Sequence, residues 1–190
     1  MTVLLDPDRR VLDAVARLHV EVLPGSRISR LGLPFARSFY AFAARSNLEH
    51  VLALSEDGEV RGAALLSLSP KTLTRRSALR TTLAWALLRH PSNLLAALAG
   101  GEGETPDIAD LPEIVAIFVA AGRQSAGEGT LLLRHAEKLL REAGFPAYLV
   151  RTENRVDNRA ISFYERNGFR VVGASGAKPA PFLYMKKSLD

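Results

Sequence analysis

The sequence predicts an α+β fold in a single domain that spans residues 1–190. Seven short apolar runs, typical of strands, are interspersed with segments whose apolar residues recur at helical spacing. Hydrophobic residues make up 47% of the chain and charged residues 24%, which is the composition of an ordinary globular protein. A chain of 190 residues is long enough to bury roughly 70% of its unfolded surface, so it can form a proper core.

The first 45 residues predict a strand, then two helices with a loop between them. Thr2–Leu5 is a short apolar run, and Asp6 can cap the helix that follows it. Apolar residues at helical spacing extend that helix over residues 11–22, and a Pro-Gly pair ends it. A loop is expected at Ser26–Arg30 and a second helix over about Pro34–Arg45.

An antiparallel hairpin is the clearest local prediction. The apolar runs His50–Ser55 and Val60–Ser67 are separated by a short polar stretch that contains Asp57-Gly58. An Asp-Gly pair between two strand-like runs favours a tight turn with positive φ angles. The two runs are therefore expected to be adjacent antiparallel strands.

Residues 71–112 differ from the rest of the chain in their charge. Lys71–Gly100 carries five basic residues and no acidic ones, whereas Gly101–Glu113 carries five acidic residues and no basic ones. The first part predicts one or two helices, with a break at His90-Pro91, and the second part predicts a loop. The two parts can neutralise each other, and the segment suits a lid, a dimer contact or a membrane-facing patch equally well.

The second half of the chain predicts four more strands. Ile114–Ala120 is a continuous apolar run rich in β-branched residues, which is typical of a central strand buried on both faces. Ala147–Thr152 is the next apolar run, and Phe169–Val172 and Phe182–Lys186 are the last two.

Two helices separate these strands. An apolar stripe predicts a helix over about Thr130–Ala143, and Gly144 stops it. Asp157 or Asn158 caps a shorter helix, which an Asn-Gly pair at 167–168 closes in the left-handed conformation.

Composition narrows the classes of function. The chain has no cysteine, which removes disulfides, thiolate metal sites and cysteine nucleophiles and suits a cytoplasmic protein. A net charge of +5 favours a nucleic-acid or membrane surface or a polyanionic cofactor, although an arginine-rich background explains it equally well. No secretory signal is expected, and the uncharged runs Thr81–Leu88 and Pro91–Gly101 are too short to span a membrane. The four histidines show no spacing that predicts a metal site.

The first motif with chemical meaning is a glycine-containing loop at the predicted start of the helix over 130–143. Residues 124–130 have the sequence Q-S-A-G-E-G-T. A helix start presents unpaired backbone N–H groups and a partial positive charge, and glycines let the backbone approach a phosphate closely. The spacing alone also suits a plain glycine turn, and it matches neither a Walker sequence nor the dinucleotide fingerprint.

The second motif lies about thirty residues downstream, where residues 158–169 have the sequence N-R-A-I-S-F-Y-E-R-N-G-F. Together the two motifs resemble those of the GNAT superfamily of acyl-CoA N-acyltransferases. In that family R/Q-x-x-G-x-G/A follows the fourth strand and N-x-x-A-x-x-x-Y-x-x-x-G-F follows the fifth. The resemblance is specific over Glu113–Val172 and looser over residues 1–70. It implies a mixed, mostly antiparallel sheet of six or seven strands flanked by helices, with a helical insertion at 71–112 between the third and fourth strands.

The resemblance also implies acetyl-CoA as the co-substrate and assigns two groups of donor-binding residues. One group holds the pyrophosphate, and the other lies along the pantetheine arm and its thioester. The pyrophosphate group consists of Gln124, Gly127, Gly129 and Thr130. The pantetheine group consists of Ile117, Phe118, Val119 and Asn158, and a backbone N–H near Phe118 or Val119 would polarise the thioester carbonyl.

Two residues are candidates for proton transfer. Tyr164 matches the tyrosine that protonates the departing thiolate in relatives, although an amphipathic core residue beside Phe163 is the plainer interpretation. Glu113 opens the fourth strand and is the candidate general base, although it could equally be a solvated residue at the end of the acidic loop. Glu21 is a second candidate for the base.

The resemblance leaves the acceptor open. We expect a primary amine of a small molecule, such as an amino sugar, an amino acid or a polyamine. The alternatives are the amino terminus of a peptide or protein, and a non-catalytic module that binds acyl-CoA and regulates a partner. No basic stripe interleaved with aromatic residues favours nucleic acid, and dimers are common among relatives.

Overall fold

The computed structural model describes residues 1–80, 110–122, 127–175 and 181–189. The described helices and strands follow one another as β1 (Thr2–Leu5), α1 (Arg9–Val22), α2 (Arg27–Arg30), α3 (Leu33–Ala43), β2 (Glu49–Glu56), β3 (Glu59–Ser67), α4 (Pro70–Arg80), β4 (Glu113–Val119), α5 (Glu128–Glu142), β5 (Ala147–Glu153), α6 (Arg159–Arg166), β6 (Arg170–Ala174) and β7 (Phe182–Ser188).

Seven strands form one sheet in the order β1-β2-β3-β4-β5-β7-β6. Every neighbouring pair is antiparallel except β4 and β5, which run parallel. This arrangement confirms the predicted α+β fold with a mixed, mostly antiparallel sheet.

The sheet is covered by helices on both faces. Residues of α1, α3 and α4 pack on one face, in what we call the first core. Residues of α5 and α6 pack on the other face, in the second core. Successive residues of β2 alternate between the cores, since Val51 and Ala53 belong to the first and Leu52 and Leu54 to the second. Burial on both faces explains why this strand has a continuous apolar sequence.

The β2–β3 hairpin forms as predicted. Asp57 and Gly58 have φ angles of 52° and 78°, the combination that a type I′ turn requires. The turn sets the register at this end, where Glu56 lies opposite Glu59.

Two predictions near the amino terminus were wrong. Asp8, and not Asp6, caps α1, because the Asp8 carboxylate accepts the Val11 N–H at 3.0 Å. Asp6 has a φ of 42°, and its carboxylate accepts the Val51 N–H of β2 at 2.7 Å. The residues expected to form a loop at Ser26–Arg30 instead contain the one-turn helix α2, whose first turn Ser26 caps by accepting the Ser29 N–H.

The segment at 71–112 begins with a helix, as predicted. α4 starts at Pro70, and its Leu73 joins the first core. The rest of the predicted helical part, the break at His90-Pro91 and most of the acidic loop lie outside the described residues. Among the helices described, none is long and apolar enough to cross a membrane.

Candidate active site

A cleft opens in the sheet between β4 and β5. The two strands pair at only two positions, Glu113 opposite Leu149 and Ile114 opposite Val150. Beyond these pairs β4 continues to Val119 and β5 to Glu153, while β3 and β7 pair with their outer edges. The facing edges therefore offer backbone N–H and C=O groups that a ligand could bind.

A β-bulge lies at the root of this cleft. Ala116 pairs with Leu65 and Ile114 with Leu66, so that Val115 is an extra residue on β4. As a result both Val115 and Ala116 pack on the first core, whereas Ile114 belongs to the second. Bulges of this kind change the direction of a strand and are common next to active sites.

The cleft corrects the expectation that this strand is buried on both faces along its length. Ile114 and Phe118 are buried, but Ile117 and Val119 are only half-buried, because β5 leaves β4 before it reaches them. Phe118 packs on the ring of His19 in the first core, with 5.0 Å between the ring centroids. The side chains of Ile117 and Val119 pack against the second core. The Ala120 N–H bonds the Arg61 carbonyl of β3, so by alternation the backbone groups of Phe118 also face β3, whereas those of Ile117 and Val119 face the cleft.

The start of α5 has the geometry of an anion site. Gly127 lies just before the helix with a φ of 82°, no side chain caps the helix there, and a Cβ at Gly127 would contact nothing within 4 Å. The N–H groups of the first turn, which includes Thr130, have no partner within the helix and lie at its positive end. Gln124 lies outside the described residues.

Gly129 is a glycine for a reason that the sequence pattern does not reveal. A Cβ on Gly129 would lie 3.0 Å from the ring of Phe163 on α6. The missing side chain therefore lets α5 and α6 approach each other, whatever binds at the helix start.

Asn158 caps α6, which confirms one of the two predicted caps. Its side-chain oxygen accepts the Ala160 N–H at 3.0 Å. Its amide donates to the Thr152 hydroxyl at 2.8 Å and to the Glu153 carbonyl at 2.6 Å. These bonds hold the end of β5 against the start of α6, and contact with the pantetheine arm stays a prediction.

Tyr164 lies in the second core with 6% of its surface exposed. Its ring packs on Phe163 and Phe169, with centroids 5.3 Å away in both cases. Burial raises the pKa of the Tyr164 hydroxyl, and the charge of Glu113 raises it further. The hydroxyl therefore carries its proton at neutral pH, and it is a weaker acid than the hydroxyl of an exposed tyrosine. Among the described residues its hydroxyl has no hydrogen-bond partner.

Glu113 is not a solvated end of the acidic loop, because only 9% of its surface is exposed. Burial raises the pKa of its carboxyl, and the charge of Arg151 opposes that rise. A carboxylate with a raised pKa is a stronger base, as the predicted role requires. The charge of Glu113 contributes to the raised pKa of Tyr164, so the two side chains lie within electrostatic range of each other. Glu21, the second candidate, is exposed near the end of α1.

The structure places two further charged residues at this site, and the two sequence motifs predict a role for neither of them. Arg151 follows the last β4–β5 pair, and its Nε lies 3.7 Å from the Glu113 carboxylate. Glu128 stands between the two glycines at the start of α5, yet it is only 2% exposed. The only sequence signal for Arg151 is a charged residue inside an apolar strand, and for Glu128 it is an acidic residue inside a predicted phosphate loop.

The described histidines have structural contacts. His19 is buried, with the Tyr40 hydroxyl 2.6 Å from its Nδ1 and the Ser26 hydroxyl 2.8 Å from its Nε2. His135 is half-buried, and its Nδ1 lies 3.0 Å from the Leu131 carbonyl. In the part of the chain that the structure describes, no group of three or more His, Cys, Asp or Glu residues could hold a metal ion.

Comparison with known protein families identifies the family of this chain. The model of the acetyltransferase (GNAT) family matches residues 15–169, a range that includes both motifs and the cleft. No curated protein matches the sequence.

Solved structures share the fold at low sequence identity. Aminoglycoside 6'-acetyltransferase type Ii is 15% identical with a TM-score of 0.65, over 100% of this chain and 98% of its own. The ribosomal-protein-S18-alanine N-acetyltransferase from Escherichia coli is 13% identical with a TM-score of 0.60, over 100% of this chain and 95% of its own. The paia N-acetyltransferase from Thermoplasma acidophilum, solved in complex with coenzyme A, is 15% identical with a TM-score of 0.58, over 99% of both chains.

Proposed function

Because the chain belongs to the acetyltransferase (GNAT) family, we propose that it transfers an acetyl group from acetyl-CoA to a primary amine of a small molecule. The observation that carries this proposal is the cleft between β4 and β5, with the start of α5 following β4 and the start of α6 following β5. Parallel strands that part at their carboxyl ends, next to helix starts, form a common type of ligand site.

The residues present fit the parts of acetyl-CoA. The first-turn N–H groups after Gly127 suit the negatively charged pyrophosphate. The backbone groups of Ile117 and Val119 that face the cleft suit the amide groups of the pantetheine arm, which need hydrogen-bond partners as a strand does. A backbone N–H near Phe118 or Val119 would stabilise the negative charge that develops on the thioester oxygen.

The proposed reaction uses Glu113 and Tyr164 for its proton transfers. The acceptor, bound as an ammonium, gives a proton to the Glu113 carboxylate and becomes a nucleophile. The nitrogen attacks the carbonyl carbon of the thioester, the C–N bond forms, and the C–S bond breaks. The sulfur leaves with the bonding electron pair and takes the Tyr164 proton, and the proton still carried by the nitrogen restores the tyrosine. The products are an amide, a thiol and one proton, which Glu113 releases to solvent.

The first experiment tests donor binding with matched glycine variants. Gly127 and Gly144 lie at opposite ends of α5, with φ angles of 82° and 78° and no atom within 4 Å of an added Cβ. Aspartate therefore introduces the same backbone strain and the same charge at both positions. We expect calorimetry to show at least tenfold weaker acetyl-CoA binding for Gly127→Asp and near wild-type binding for Gly144→Asp.

Two results would contradict the proposal. One is equal acetyl-CoA affinity in the two variants, which would remove the anion site from the start of α5. The other is wild-type protein that binds adenosine diphosphate as tightly as acetyl-CoA, since the cleft would then contribute nothing.

A further inference from the structure

The root of the cleft holds a pair of opposite charges on one face of the sheet. Glu113 and Arg151 flank the last β4–β5 pair, Ile114 opposite Val150. Because Ile114 and Val150 belong to the second core, their neighbours Glu113 and Arg151 point to the other face, where the first core lies. Their closest charged atoms are 3.7 Å apart.

The Arg151 guanidinium has N–H donors that its contact with Glu113 does not use. Its side chain is 40% exposed, and its contact with Glu113 is longer than the 2.7–2.9 Å of a charge-assisted hydrogen bond. The guanidinium lies over the ring of Phe182 at 5.7 Å from the centroid, which supports it from one side. Within the described residues Arg151 donates no hydrogen bond, whereas Arg155 binds both carboxylate oxygens of Asp157. The planar fork of Arg151 is therefore available to an external anion.

Glu113 presents the complementary charge. It is buried, and as the proposed base it must contact the ammonium of the acceptor. An acceptor with an ammonium at Glu113 places its neighbouring substituents beside Arg151. A substituent with a negative charge would replace the loose contact between Arg151 and Glu113 by two direct ones.

We propose that Arg151 selects acceptors that carry a carboxylate next to the amine, so that the acceptor is an α-amino acid or a compound that ends in one. This inference rests on the proposed function, because it assigns Glu113 to the acceptor amine. An α-amino acid carries both charged groups on one carbon atom, which matches two protein charges held side by side. The carboxylate binds the Arg151 fork in the bidentate manner that guanidinium groups favour, and the ammonium donates to Glu113.

The test compares amino acids with their carboxamides, which have almost the same shape but no negative charge. Each pair is assayed with acetyl-CoA by thiol release, for the wild type and for Arg151→Met, Arg151→Lys and Arg155→Met. Arg155 is the matched control, since it follows the same strand and its side chain is 64% exposed. We expect the wild type to prefer the acid at least tenfold in kcat/KM, because the carboxamide has no negative charge to form the charge-assisted bidentate contact with Arg151.

The ratio of acid to amide identifies the role of Arg151. We expect it to fall to about one in Arg151→Met, to be intermediate in Arg151→Lys, which keeps the charge but loses the fork, and to be unchanged in Arg155→Met. If Arg151→Met lowers the rates with acid and amide equally, Arg151 acts on Glu113 and not on the acceptor, and the proposal is overturned.

The wild type alone can also overturn the proposal, even if Arg151→Met fails to fold. Equal rates with the acids and their amides would do so, and so would acetyl-CoA binding with no reaction of either. Neither result would contradict the proposed binding of acetyl-CoA. If acetyl-CoA itself does not bind, the proposed function falls together with this inference.

Discussion

At the scale of single residues, the proton-transfer groups depend on burial. Burial raises the pKa of both groups, so Glu113 becomes a stronger base while Tyr164 keeps its proton at neutral pH but becomes a weaker acid. The two side chains belong to different faces of the sheet, because Tyr164 is in the second core while Glu113 points toward the first. The cleft between β4 and β5 is where both faces become accessible to one ligand.

Replacement of Tyr164 by phenylalanine tests the acid role. We expect the turnover of Tyr164→Phe to fall by about 10²–10⁴-fold, because a positioned general acid contributes that much. Acetyl-CoA affinity should change little, since phenylalanine keeps the ring contacts with Phe163 and Phe169. Steady-state kinetics and calorimetry measure the two effects separately.

Tyr148→Phe is the control for loss of a buried hydroxyl. Tyr148 is fully buried in the same core and donates to Glu137 at 2.8 Å, outside the proposed site. We expect this variant to keep its turnover and to lose about 1 kcal/mol of unfolding free energy. A fully active Tyr164→Phe would remove the tyrosine from the mechanism.

At the scale of elements, a buried ion pair joins α4 to the sheet. Glu49 is completely buried, and its carboxylate accepts from the Ser67 hydroxyl at 3.0 Å and from the Arg76 guanidinium of α4. Glu49, Ser67 and Glu113 lie in register across β2, β3 and β4. The ion pair therefore attaches α4 to the same row of paired strand residues that contains Glu113, the proposed base.

Loss of Arg76 should destabilise the fold. Arg76→Met leaves the Glu49 carboxylate buried without its counter-charge, and we expect a loss of about 3 kcal/mol of unfolding free energy. Urea denaturation measures it. Arg75→Met is the matched control, because Arg75 is exposed on the same helix and should change the stability by less than about 0.5 kcal/mol.

A second change at the partner tests the reason for that loss. The double variant Glu49→Gln with Arg76→Met removes both charges and should recover part of the lost stability. If Arg76→Met is as stable as Arg75→Met, the ion pair does not anchor α4.

At the scale of the whole molecule, His19 makes stability depend on pH. Burial lowers its pKa from 6.5 to about 4. As the pH falls below 6.5, the unfolded chain takes up a proton at this residue and the folded chain does not, so the unfolding free energy decreases. The decrease amounts to about 3 kcal/mol by pH 4, at about 1.4 kcal/mol for each pH unit.

Urea denaturation between pH 7 and pH 4 checks this expectation. His19→Gln should lose the part of the pH dependence that His19 causes. His50 affects the unfolding free energy in the opposite direction, because its hydrogen bond to Asp6 raises its pKa. Its stabilising contribution is present at pH 6 and is lost as the pH rises through the raised pKa. His50→Asn should therefore keep the decline below pH 6.5, and identical curves for the wild type and His19→Gln would contradict the assignment.

Features that depend on neighbouring residues were predictable from the sequence, whereas features that depend on distant residues were not. The Asp57-Gly58 turn, the end of α5 at Gly144 and the Asn158 cap were predictable, because each depends on a few neighbouring residues. Asp6 was assigned wrongly as a cap because its actual partner, Val51, is distant in the sequence. The cleft and the position of Arg151 were not predictable from periodicity, since they depend on where β5 leaves β4.

The two-residue pairing of β4 and β5 has a consequence for cooperativity. It divides the backbone ladder into two parts, β1–β4 and β5–β7, which otherwise communicate through the helices and the second core. A donor that lies between the two edges would act as a removable strand and join the two ladders. The protein without a ligand could then open one ladder at a time, whereas the loaded protein would open as one unit, so the substrate would complete the sheet as well as occupy it.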